Sequence, residues 1–111
     1  MIDWTRVEEL IDEFGVQDFT EVVDLFLTEV DGAISQLGEG CHSPDGLAAQ
    51  MHFLKGAALN LGFSALSDLC RRGEDAARAG NCGLVTAQEV RATFDASQQV
   101  FQRDLQARLA A

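Results

Sequence analysis

His52, Lys55 and Gly56 lie within five residues of one another on a segment with helical spacing. An imidazole has an ordinary pKa of about 6.5, so near neutral pH one ring nitrogen is free to act as a nucleophile. Its neighbours on a helix stand three and four residues away, which here means Ala48, Ala49, Lys55 and Gly56. Three of these carry the smallest side chains, and Lys55 is the only lysine in the chain. A glycine inside a helix costs about 1 kcal/mol relative to alanine. Placed on an outer face, it suggests that something must come close to the backbone. No obvious acid stands next to His52. On the residues alone, two readings stay open: a nucleophilic nitrogen with one adjacent cation, or a surface histidine beside an unrelated lysine.

The elements that position these residues follow from apolar spacing. β-Branched residues never alternate over a strand's length, and the period is near 3.6 almost throughout, so the chain reads as all-α. Asp3 caps a first short helix, Trp4–Phe14, which turns Val7, Leu10, Ile11 and Phe14 to one side and ends at Gly15. A long helix over about 17–37 comes next, with Phe19, Val23, Phe26, Val30, Ile34 and Leu37 as its core stripe and Gly38 and Gly40 as its stop. Ser43-Pro44 opens a third helix that runs to Leu61 and stops at Gly62. Ser64 caps a fourth, with Leu66, Leu69, Cys70, Ala76 and Ala77 inward and Gly80 as the stop. Thr86 and Glu89 form a capping box for a fifth, striped by Val90, Phe94, Phe101 and Leu105 and interrupted by Ser97 or Gln98. The expected architecture is an antiparallel four-helix bundle with a short N-terminal lid helix, a single domain over residues 1–111.

Helical phase then orients the site. With about 100° per residue, Leu47, Met51, Leu54, Ala58 and Leu61 gather on one side of the third helix. His52 lies about 140° from the centre of that stripe, on the outside of the bundle.

Composition excludes several functions. The formal net charge is −10, which disfavours nucleic acid or an anionic membrane as the main partner. Residues 1–45 hold twelve of the eighteen acids and a single base, Arg6. The longest uncharged run, Gly56–Ser67, is too short to span a membrane, and the N-terminus lacks the pattern of a secretory signal. Cys41, Cys70 and Cys82 are odd in number and have no CxxC spacing, which fits a reduced cytoplasm. These cysteines with His42 and His52 are the candidate metal ligands. However, Cys41-His42 falls in a loop, Cys70 sits on a core stripe, and His52 has Ala49 where a carboxylate bundle would place Glu. No metal site is expected. No glycine-rich phosphate loop appears, so the chain is not an autonomous kinase.

The segment from His52 to Gly62 resembles the signature of histidine-containing phosphotransfer (HPt) domains. That signature reads His, any residue, Leu, Lys, Gly, two small residues, two variable positions, an aliphatic and Gly. The chain matches it at His52, Leu54, Lys55, Gly56, Ala57, Ala58, Leu61 and Gly62. Asp18-Phe19 through Phe26-Leu27 and Leu66 through Glu74 resemble the family's second and fourth helices more loosely. Gly73 departs from the pattern, standing where the family commonly has leucine, which implies either loose or unusually close packing. Leu59 is larger than the residue often found in its place.

The resemblance implies a phosphorelay intermediate. His52 would accept a phosphoryl group from a receiver-domain aspartyl-phosphate and pass it to another receiver's aspartate. Lys55 would stabilise phosphoryl charge, and Gly56 would give steric access. The partners implied are response-regulator receiver domains and a hybrid histidine kinase, with Mg²⁺ supplied by the receiver and no cofactor bound by this chain. Candidate docking residues are Ala48, Ala49, Leu59, Val22 and Leu25, the last two also readable as an ordinary broad core face. A monomer in the cytoplasm is expected. The alternative is a helical bundle that docks receivers without accepting phosphate.

Overall fold

The computed structural model describes residues 1–38 and 43–110. These form four helices and no strand: α1 (Trp4–Leu37), α2 (Pro44–Leu61), α3 (Ser64–Arg78) and α4 (Ala87–Ala110). Gly40, Cys41 and His42 lie outside the described residues, so the second stop signal and two of the candidate metal ligands do too.

The two N-terminal helices expected from the sequence are one element broken at a single residue. Gly15 has φ +78° and ψ 158°, outside helical geometry, and the helix resumes at once on its far side. An L side chain rarely adopts that φ, so glycine makes the kink possible. Phe14, expected to face inward, is exposed beside Val16 at this break. Elsewhere the stripes pack as their spacing requires. Val7, Leu10, Phe19, Val23, Val30, Ile34 and Leu37 of α1 are buried, while Phe26 is half-buried against the core.

Asp3 accepts from the Arg6 amide at 3.3 Å, and Ser43 accepts from the Gly46 amide at 3.0 Å, so both predicted caps form. Ser64 does not cap. It is the first residue of α3, Phe63 holds the cap position, and the Ser64 hydroxyl donates to the Met1 carbonyl at 2.8 Å. Thr86 accepts from the Glu89 amide at 3.1 Å, while its hydroxyl donates to the Glu89 carboxylate at 3.3 Å, so only half of the capping box is made.

The turn between α2 and α3 is where the N-terminal arm docks. Gly62 ends α2 in the left-handed region at φ +85°, and its carbonyl accepts from the Asp3 amide at 2.7 Å. A Cβ at Gly62 would meet the Asp3 carbonyl oxygen at 2.8 Å, so both torsion and space demand glycine. Trp4 stacks on Phe101 with ring centroids 5.9 Å apart, and Phe63 packs against Phe101 at 5.3 Å. Of the two polar positions on the α4 stripe, Ser97 is the one in the core.

Helices α2 and α3 pack most extensively, and Gly73 is one reason. A Cβ there would lie 2.9 Å from both Sδ and Cε of Met51 and 3.3 Å from Cβ of Val85. The departure from leucine therefore corresponds to close packing, not to a loose spot. This approach brings the polar edge of α3 alongside His52.

Candidate functional site

Leu47, Met51, Leu54, Ala58 and Leu61 are buried, and this pins the rotation of α2. His52 consequently faces outward, with its side chain 64% exposed. Glu74 of α3 lies beside it. The carboxylate is only 6% exposed, and its Oε2 is 3.0 Å from His52 Nδ1. The expectation that no acid neighbours the imidazole is thus corrected by the fold.

Glu74 also gathers two cations. Lys55 Nζ is 2.8 Å from Oε1, and Arg78 reaches Oε2 with Nη2 at 2.8 Å and Nε at 3.2 Å. A buried carboxylate survives only when paired in this way. Lys55 first and Arg78 second, with a smaller share from His52, hold the Glu74 carboxyl down at about 2 against the opposing effect of burial. An ionised Glu74 can only accept hydrogen bonds, so His52 Nδ1 must donate. The ring proton is thereby fixed on Nδ1, and in the neutral ring Nε2 carries the free lone pair.

Several other predicted residues fall around this centre. Gly56 stands one turn from His52, and a Cβ built there would meet nothing within 4 Å. No internal packing forbids a side chain at this position. His52, Phe53, Gly56 and Asn60 of α2 line an open groove of about 300 Å³ with Phe26 and Glu29 of α1. Ala49 lines an adjoining groove that shares Phe53. Leu59 is 62% exposed.

The remaining docking candidates separate. Ala48 is 1% exposed and belongs to the core, because its position on α2 turns it toward the flank that the bundle covers; it cannot offer surface to a partner. Leu25 is 62% exposed, which corrects its reading as part of a broad core face, while Val22 is half-buried. Neither lines the His52 groove, where α1 supplies Phe26 and Glu29 instead.

The residue that sequence reasoning missed is Glu74. It stands four residues after Cys70 and three before Ala77, so it shares a face with two core positions. A carboxylate at core spacing, with Arg78 one turn on, was the available signal. Cys70 is buried, and burial pushes its thiol up to about 12, which makes it a poor nucleophile or ligand. Among the described residues, no three His, Cys, Asp or Glu side chains gather as a metal site, and no helix is long and apolar enough to cross a membrane.

Comparison with known proteins agrees with this geometry. The sequence model of the Hpt domain matches residues 21–110, well over half of the chain, including α2, α3 and the His52 site. Searches of curated proteins and of solved structures each returned no match. With the signature histidine exposed on a helical scaffold and the family match running through it, the chain belongs to the Hpt domain family, the histidine phosphotransfer domains of phosphorelays.

Proposed function

We propose that His52 accepts a phosphoryl group on Nε2 from the aspartyl-phosphate of a receiver domain and returns it to the aspartate of another. The observation that carries this reading is the exposed imidazole with Nδ1 held 3.0 Å from an ionised, buried carboxylate. The Nε2 lone pair attacks phosphorus while the bond from phosphorus to the aspartyl oxygen breaks, and the aspartate leaves with that electron pair. No proton moves. The phosphorylated ring keeps its Nδ1 proton and takes on positive character, which Glu74 opposes in charge through the existing hydrogen bond. Transfer onward reverses each step, so one histidine serves both directions.

The transition state is loose and spreads charge over the phosphoryl oxygens, so positioning and charge stabilisation dominate. Lys55 lies one turn from His52 and is 29% exposed, which lets it turn from Glu74 toward an incoming phosphoryl group. The groups nearest His52 are two cations and a carboxylate committed to them, a poor set for Mg²⁺. Mg²⁺ is therefore assigned to the receiver, where it would neutralise phosphoryl charge. Gly56 leaves the approach to His52 open, and Phe53, Phe26, Ala49 and Leu59 offer apolar contact around it. Leu25 and Val22 lie farther out on α1 and are at most rim contacts.

On this reading residues 1–111 form one domain, cytoplasmic and monomeric, whose helices make an antiparallel bundle with residues 4–14 as its lid. Its partners are response-regulator receivers and a hybrid histidine kinase.

The test is transfer from an aspartyl-phosphorylated receiver with Mg²⁺ to wild type and to His52→Gln. An acid-labile, base-stable label on wild type alone is expected. Equal stability of the two proteins in urea is expected as well, because the ring lies outside the core. A label that persists in His52→Gln, or a wild type that stays unlabelled across a broad receiver panel, would overturn the assignment.

A further inference from the structure

Arg78 and His52 converge on the same atom. Glu74 Oε2 meets His52 Nδ1 at 3.0 Å and Arg78 Nη2 at 2.8 Å, while Oε1 is taken by Lys55. An ordinary i,i+4 pair on a helix surface contributes little. Here the Glu74 side chain is buried while Arg78 and His52 are mostly exposed, so the partners feel one another across a shared oxygen that water screens from one side only. One negative charge is divided between two permanent cations and a ring that can become a third.

We propose that Arg78 is a positioning residue of the transfer site, which shares Glu74 Oε2 with His52 and so limits how much of the carboxylate charge reaches the ring. The inference rests on His52 being the phosphoryl acceptor. If Arg78 is removed, the full carboxylate charge falls on Lys55 and the ring. A proton on Nε2 then becomes more favourable, and a protonated ring has no lone pair to attack phosphorus. Raising the pH opposes that proton in every variant, so the effect fades at high pH. The other charged groups placed beside the ring are Lys55 on α2, which shares Glu74 with it, and Glu29 across the groove on α1. Both are common to the variants below.

Transfer rates from one phosphorylated receiver are measured at pH 6 and pH 8 for wild type, Arg78→Gln, Arg78→Lys and Glu74→Gln. The ratio of the pH 8 rate to the pH 6 rate should rise about threefold or more in Arg78→Gln. It should fall in Glu74→Gln and return toward wild type in Arg78→Lys. Ring ¹⁵N shifts of His52 at pH 6.5, taken with no donor present, should move toward imidazolium values in Arg78→Gln. This second readout does not need transfer, so it separates a failure of the Arg78 inference from a failure of His52 as acceptor. A loss equal at both pH values would overturn the inference and make Arg78 a phosphoryl or partner contact. Lower stability with an unchanged ratio and unchanged ring shifts would overturn it too.

Discussion

Gly56→Gln should make the protein more stable and nearly inactive, two effects of opposite benefit from one side chain. A Cβ at this position meets nothing within 4 Å, so the substitution creates no internal clash. Glycine costs about 1 kcal/mol in a helix interior and glutamine only a fraction of that. The expected gain is therefore roughly 0.5–1 kcal/mol, or about 2–4 °C in Tm for a chain of this size. Transfer should respond in the other direction. Reacting atoms must close to about 3–3.5 Å, and a displacement of about 1 Å can cost roughly a hundredfold. A glutamine one helical turn from His52, pointing into the same groove, forces a displacement of at least that size. Gly56→Ala is the control, with a similar gain in stability and a small loss of transfer. Urea unfolding gives the first quantity and a receiver transfer assay the second. A folded Gly56→Gln protein that accepts phosphate at the wild-type rate would refute the argument that glycine is there for access.

Two further outcomes rest on the buried contacts. Glu74 titrates at about 2 instead of 4.5, so its contribution to stability is complete above pH 4.5 and is lost as the pH falls toward 2. At about 1.4 kcal/mol per unit the upper limit is about 3.5 kcal/mol, and Glu74→Gln should show a shallower acid-unfolding curve over that window. Gly73→Leu should cost about 1–3 kcal/mol by forcing Met51 and Val85 aside; Met51→Ala in the same chain should recover part of it, as read from urea midpoints.

Most of the helical framework was legible because apolar spacing is a direct record of burial. The stripe through Leu47, Met51, Leu54, Ala58 and Leu61 was enough by itself to point His52 outward. Lys55 and Gly56 took their places from the same phase. The content of the facing helix at the site could not be read. Glu74 is polar, and a rule that sorts apolar residues inward passes over a carboxylate at a core position. Only the packing of α3 on α2, set partly by the missing side chain of Gly73, brings Glu74 against Nδ1. Ala48 failed for a related reason, since phase gives an angle on one helix but not how wide a face its neighbours cover. The break at Gly15 was visible as a stop signal. The resumption by about residue 17 was legible too, from the stripe that begins at Phe19; that no loop would separate the two segments was not, because a stop signal does not say how many residues the turn takes.

That break also sets a length. At 1.5 Å per residue a straight helix from Trp4 to Leu37 would run about 51 Å, longer than the 47 Å long axis of the whole molecule. A straightened arm would leave its seat, and Trp4 and Val7 would lose Phe101 and the α2–α3 turn as partners. Their apolar side would be left open, at the right spacing to occupy the vacated seat on a second copy of the chain. A single pair of torsion angles at Gly15 thus lets the arm fold back and close on its own molecule.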